Sequence, residues 1–257
     1  MEIIVISLAA FLTSILTFFS GFGLGTILTP VFVIFFPAEI AIALTGVVHF
    51  LNNLFKITLI GKKADKAVLL RFGIPAMLSS FAGAWLLLRI TRIPSLFEYQ
   101  LWGRDFEITP VKLIIAILLI IFSILEIAPS VRRIQFDRNK LALGGLLSGF
   151  FGGLTGMQGA IRSAFLIKSG LSKEAYIATG VVIACLVDIT RLSVYASRLK
   201  EINLNEQMPL LFAATVAAMT GAFLGNKLLK KITLRFIQVL VAVMLIILSV
   251  ALGAGFI

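Results

Sequence analysis

The sequence predicts an all-α polytopic membrane protein made of two inverted repeats, each a glycine-broken re-entrant hairpin followed by three transmembrane helices. Three observations lead there. Apolar runs of membrane length recur along the chain, one residue pattern returns at a fixed offset, and the basic residues cluster in short loops. The 257 residues are 60% hydrophobic and 14% charged, with a mean hydropathy of +1.08. A soluble domain of this size would lack the polar groups to cover its surface. Runs of about 20 apolar residues fit the hydrocarbon core of a bilayer, so the lipid bilayer is the chain's solvent.

The N-terminal stretch MEIIVISLAAFLTS has no basic region ahead of its apolar residues. It reads as a first membrane element and not as a cleaved signal peptide. The single cysteine, Cys185, lies inside an apolar run. It allows neither an internal disulfide nor a cysteine zinc site, and packing is its role. The net charge of +11 sits in loops between apolar runs. That placement points to orientation by the positive-inside rule and away from nucleic acid as a partner.

The tetrapeptide TGVV occurs at Thr45–Val48 and at Thr179–Val182, 134 residues apart. The same offset pairs Ser14 with Ser148, Gly25 with Gly159, Ala41 with Ala175 and Pro75 with Pro209. The chain therefore divides into a first repeat, 1–128, a cytoplasmic linker, 129–137, and a second repeat, 138–257. Single crossings are expected at 39–58, 67–89 and 110–128 in the first repeat, and at 174–197, 207–228 and 235–255 in the second. IPSLFEYQLWGRDFEIT (93–109) has no counterpart and reads as a loop insertion.

Residues 3–36 and 141–168 precede the crossings. A straight helix over the latter would be about 42 Å long, against a core of about 30 Å. Glycines interrupt both, in SGFGLG (20–25) and GGLTGMQG (152–159). Basic residues decide between a tilted helix and a hairpin. Loops 56–71, 131–140 and 227–235 carry Lys56, Lys62, Lys63, Lys66 and Arg71, then Arg132, Arg133, Arg138 and Lys140, then Lys227, Lys230, Lys231 and Arg235. All three are expected on the cytoplasmic side. Counting crossings from them returns both ends of 141–168 to the cytoplasm and both ends of 3–36 to the outside. Each segment is then a re-entrant hairpin, the repeats are inverted, and both termini are extracytoplasmic in the plasma membrane. Inverted repeats with broken helices at the midplane are the architecture of secondary transporters.

Three stretches, SGFGLGTILTPVF, TGMQGAIRSAFLIKSGL and GKKADKAVLLRFGIPAMLSSFAGAWL, together resemble the sulfite exporter TauE/SafE family of membrane permeases over essentially the whole chain. The resemblance implies transport of a small anion: sulfite, an organosulfonate, or a related sulfur-containing or carboxylate anion. The family's first loop usually carries a run of glycines, which Leu24 interrupts here.

Residue chemistry gives the candidate site. Arg162 follows Gly159, where the second half-helix of its hairpin begins. Unpaired N–H groups at a half-helix N-terminus, glycines that admit a close ligand, and a bidentate guanidinium together suit an oxyanion. Gln158, Thr155 and Ser163 are neighbouring donors. Gly145, Gly149 and Gly153, and likewise Ser148, Gly152 and Gly156, also form small-residue faces for close helix packing. The first hairpin contributes Gly25, Thr26 and Thr29 but no arginine, since position 28 is leucine. His49, Asn52 and Asn53 share a helical face and are expected to line the same cavity. Asp188 and Arg191, at i and i+3, read either as a structural pair or as a carboxylate holding a substrate-facing arginine. His49 and Asp188 are the candidates for proton coupling, with a neutral hydrogen-bonded His49 as the alternative. No cofactor and no metal is expected, because no second histidine or cysteine cluster accompanies His49.

The function read from these features is a secondary permease of a small anion working by alternating access. No GxxxxGK[ST] motif is present to make ATP the direct energy source. An anion channel is one alternative. An integral membrane lipid-pyrophosphate phosphatase is another, disfavoured because Glu126 at a span end is the one acidic residue besides Asp188 near the membrane interior. Homo-oligomerisation, the coupling ion and the direction of transport are left open.

Overall fold

The structure is a computed structural model and describes residues 1–20, 24–127, 136–167, 169–199, 204–228 and 234–257. An uninterrupted apolar stretch with Glu2 in its first turn forms α1 (Glu2–Ser20), where the carboxylate complements the helix dipole. Residues 21–23 of the first glycine break lie outside the described residues, as do most of the linker, Lys168 and Lys200. The chain resumes as α2 (Leu24–Val33), all ten of whose residues are buried. Pro37 precedes α3 (Ala38–Ile60), which ends in a 3₁₀ turn at Gly61–Lys63. Asp65 Oδ1 accepts from Val68 N at 2.8 Å and caps α4 (Lys66–Val68). A π turn, Leu69–Gly73, continues this into α5 (Ile74–Ile90).

Residues 93–109 depart from the all-α expectation and from the loop read there. They hold an antiparallel hairpin, β1 (Phe97–Leu101) with β2 (Arg104–Ile108). Trp102 and Gly103 make its two-residue turn with φ of 52° and 71°, as a hairpin turn matched to strand twist requires. Alternation in FEYQL and RDFEI was the signal. Tyr99 Oη donates to Ala254 O at 2.6 Å, and Phe106 meets Phe256 edge-on at 5.0 Å, so the hairpin clasps the C-terminal residues.

The rest is helical: α6 (Pro110–Ile127), α7 (Leu141–Thr155), α8 (Gly159–Leu166), α9 (Lys173–Leu199), α10 (Leu204–Leu228) and α11 (Leu234–Gly253). Among the described residues, four helical stretches are long and apolar enough to cross a membrane: Ala38–Lys63, Lys66–Ile90, Lys173–Ala196 and Glu206–Gly225. Shorter apolar helices include Glu2–Thr17, Leu24–Val33, Pro110–Leu125 and Ala242–Gly253. Outward-facing Leu78, Phe81, Phe212 and Ile247 are exposed, which suits surfaces turned to lipid.

The glycine stripes separate into two jobs. Cβ atoms added to Gly145, Gly149 and Gly153 would lie 2.2, 2.0 and 2.1 Å from the carbonyl oxygens of Phe72, Ala76 and Ser80. This stripe lets α7 lie directly on α5 and its π turn. The other face, Ser148, Gly152 and Gly156, turns towards α8 and α9. Exchanging α1 with α7, α2 with α8, α3 with α9, α5 with α10 and α6 with α11 maps several packings onto one another. The pairs α1–α10 and α5–α7 interchange, as do α3–α10 and α5–α9, and α2–α11 and α6–α8. The pairs α3–α9 and α6–α11 map onto themselves.

Candidate functional site

The two glycine breaks meet. A Cβ on Gly25, at the start of α2, would stand 3.1 Å from Gly156 O and 3.9 Å from Thr45 Cγ2. Gly156 closes α7 with φ 81°, its N–H bonded to Gly152 O at 2.9 Å. Three residues on, α8 starts at Gly159. Hydroxyls hold the turn between them. Ser148 Oγ donates to Gln158 O at 3.1 Å, and Thr155 Oγ1 donates to Phe151 O at 3.0 Å while accepting from Met157 N at 3.3 Å. Thr155 is thereby engaged within the turn. Thr26 and Gly25 are buried in α2, Gly159 is buried, and Ser163 is half-buried on α8.

Arg191 lies under this crossing. Its guanidinium is wedged between α3 and the second glycine turn: a Cβ on Gly46 would lie 3.3 Å from Cζ, and one on Gly156 2.9 Å from Nη1. The same point on Gly156 is 3.7 Å from Thr29 Oγ1. Nε donates to Asp188 Oδ1 at 2.8 Å. Nη2 comes within 2.8 Å of that oxygen without the alignment of a hydrogen bond. Asp188 Oδ2 is 2.6 Å from His49 Nδ1. With Nδ1–H given to the carboxylate, Nε2 is the ring atom left to accept from Asn53 Nδ2, 3.3 Å away. Arg191, Asp188, His49 and Asn53 thus form one buried relay across α9 and α3.

Asn52 leaves this relay. Its Nδ2 donates to Ser14 Oγ at 3.3 Å and ties α3 to α1. Arg162 is also apart from Arg191. It is buried beside Gly180, whose added Cβ would be 3.5 Å from Nε, and its Nη1 donates to Gln158 Oε1 at 3.3 Å. Arg162 stays tied to the second glycine break through Gln158, and its long side chain extends from the first turn of α8 towards α9, while the guanidinium against Gly156 belongs to Arg191.

Lys56, placed by the sequence in a cytoplasmic loop, is buried in α3. The helix runs on to Ile60, so residue 56 stays in the packed seam with α9. The signal was present, since 49, 53 and 56 share one helical face. Among the described buried side chains, Lys56, Arg162 and Arg191 are cations, and Asp188 is the one carboxylate. Several buried polar atoms here have no hydrogen-bond partner: Thr29 Oγ1, Thr45 Oγ1, Asn52 Oδ1, Gln158 Nε2, and Nη1 and Nη2 of Arg191. Unpartnered buried donors beside excess positive charge are costly unless something else satisfies them.

Apolar helices of membrane length packed around buried charged side chains define a multi-pass membrane protein. The chain belongs to the sulfite exporter TauE/SafE family, a family of membrane transporters, whose model matches residues 6–252. Comparison with curated proteins and with solved structures gives no match.

Proposed function

We propose that the chain is a secondary permease for a small oxyanion: sulfite, an organosulfonate, or a related carboxylate. The observation that carries this reading is the charge balance of the interior. Among the described residues, three buried cations face one buried carboxylate, and the guanidinium of Arg191 keeps unpartnered N–H groups at the meeting point of the two glycine breaks. An oxyanion supplies both the missing charge and the missing acceptors. Thr29 and Thr45 add neutral hydroxyl donors, and the α8 N-terminus adds backbone N–H groups.

Several features support inverted repeats, 1–128 and 138–257, with re-entrant hairpins at 3–36 and 141–168. Helices α7 and α8 span about 22 and 12 Å, each short of the bilayer core. Contacts of Gly46 with Arg191 and of His49 with Asp188 run in opposite directions along α3 and α9. Antiparallel packing of equivalent helices is what a two-fold axis in the membrane plane produces. Alternating access follows if the two repeats rock about the glycine crossing. Protons passing between His49 and Asp188 are the proposed coupling path, in the plasma membrane and with both termini outside.

The test is sulfite uptake into proteoliposomes holding the purified full chain. Saturable uptake, accelerated by sulfite preloaded on the far side, is expected of a permease. Fast flux without saturation or exchange acceleration would make it a channel, and no flux of sulfite, methanesulfonate or acetate would reject the reading.

A further inference from the structure

The two guanidiniums do not share one site. Arg191 lies against Gly46, and Arg162 lies against Gly180. These glycines are the equivalent residues of the two TGVV tetrapeptides. On α9, Gly180 and Arg191 are 11 residues apart, about 16 Å of helix rise. Asp188 and His49 lie between, with both carboxylate oxygens engaged. Lys56 lies on the Gly180 side of that pair, because α3 and α9 run antiparallel and residue 56 is two turns beyond His49. It is buried, and the register set by Gly46 against Arg191 and His49 against Asp188 carries it to the level of Gly180, where Arg162 lies. Gln158 is fully buried, gives Oε1 to Arg162, and keeps Nε2 without a partner.

Resting on the permease reading, we propose that Lys56, Arg162 and the Gln158 carboxamide form a second oxyanion station, in series with the Arg191 station and separated from it by the His49–Asp188 pair. The chain then holds two small oxyanions at once. The chemistry is complementary: a compact ammonium, a planar donor fork and a neutral amide N–H match the oxygens of a sulfonate, sulfite or carboxylate. Each station has one of the duplicated glycines beside its arginine, so the duplication accounts for there being two. Asp188, with both oxygens engaged, neutralises the Arg191 side only in part.

Equilibrium dialysis of the purified full chain against labelled sulfite, methanesulfonate and acetate, each separately, counts bound anions. The unmutated chain is expected to bind two of at least one probe. Lys56→Met and Arg162→Gln should each lower the count to one, Arg191→Gln should also leave one, and Lys56→Arg should keep two. Size-exclusion profile and thermal unfolding identify the folded variants, and if Lys56→Met does not fold, Arg162→Gln reports on the same station. Should none of the variants fold, the count for the unmutated chain decides. One bound anion in the unmutated chain, or a folded Lys56→Met chain that binds none or still binds two, overturns the second station and leaves the permease reading standing. No binding of any probe overturns both.

Discussion

Asp188 is the residue on which the buried relay turns. One of its oxygens takes the guanidinium of Arg191 and the other takes His49. Asp188→Asn would leave a fully buried guanidinium without its counter-charge, and losing one partner of a buried pair costs about 3–5 kcal/mol. Thermal unfolding in detergent should show that loss. Arg191→Gln added to Asp188→Asn should restore part of it, since the two effects couple through one contact. Arg162 makes a different case, because the side chain it donates to is the neutral Gln158. Arg162→Lys is expected to keep the charge, lose the planar fork and weaken anion binding. Arg162→Ala should cost more, about 2–5 kcal/mol of apparent affinity for a desolvated contact, with little loss of fold. An Arg162→Ala chain that folds and transports sulfite, sulfonates and carboxylates at the unmutated level would make the arginine structural.

Among the elements, the pairing of α7 with α5 is the most demanding. Gly149 faces a carbonyl oxygen 2.0 Å from where its Cβ would be, so Gly149→Ala must push two backbones apart. Overpacking of this kind costs about 1–3 kcal/mol. Leu147→Ala, two residues away on the exposed side of α7, is the control and should unfold close to the unmutated temperature. The displacement should also reach the site, because α7 is capped by Gly156, which lies against Arg191. A fall in sulfite transport larger than the fall in stability is therefore expected for Gly149→Ala. The glycine spacing that permits this pairing is legible in the sequence. The β-hairpin at 97–108 is less legible, because its two alternating strands are only five residues each in a chain of long apolar runs. Lys56 is ambiguous in the sequence for a similar reason: it stands near a basic cluster and also on the His49 face, and only the packing of α3 buries it.

At the scale of the molecule, the proposed orientation has a simple test. A reporter active only in the cytoplasm, fused after Ile257, should be silent, whereas one active only outside should report. The reverse result would place the C-terminus inside and remove the inverted topology. The sequence by itself determined that the chain lives in a membrane, how its helices are spaced, where two of them break and that one pattern occurs twice. Each of these depends on neighbours in the chain: hydropathy over about 20 residues, glycine at a turn, a repeat at a fixed offset. The chain also marked His49, Asn53, Asp188 and Arg191 as polar residues in apolar surroundings. Only the tertiary structure decided which of them touch. His49 and Asp188 are 139 residues apart, and Arg191 meets a glycine from each half. Such contacts depend on how α3, α7 and α9 pack, and the cost of burying unpaired charge selects partners by distance in space, which no local pattern records.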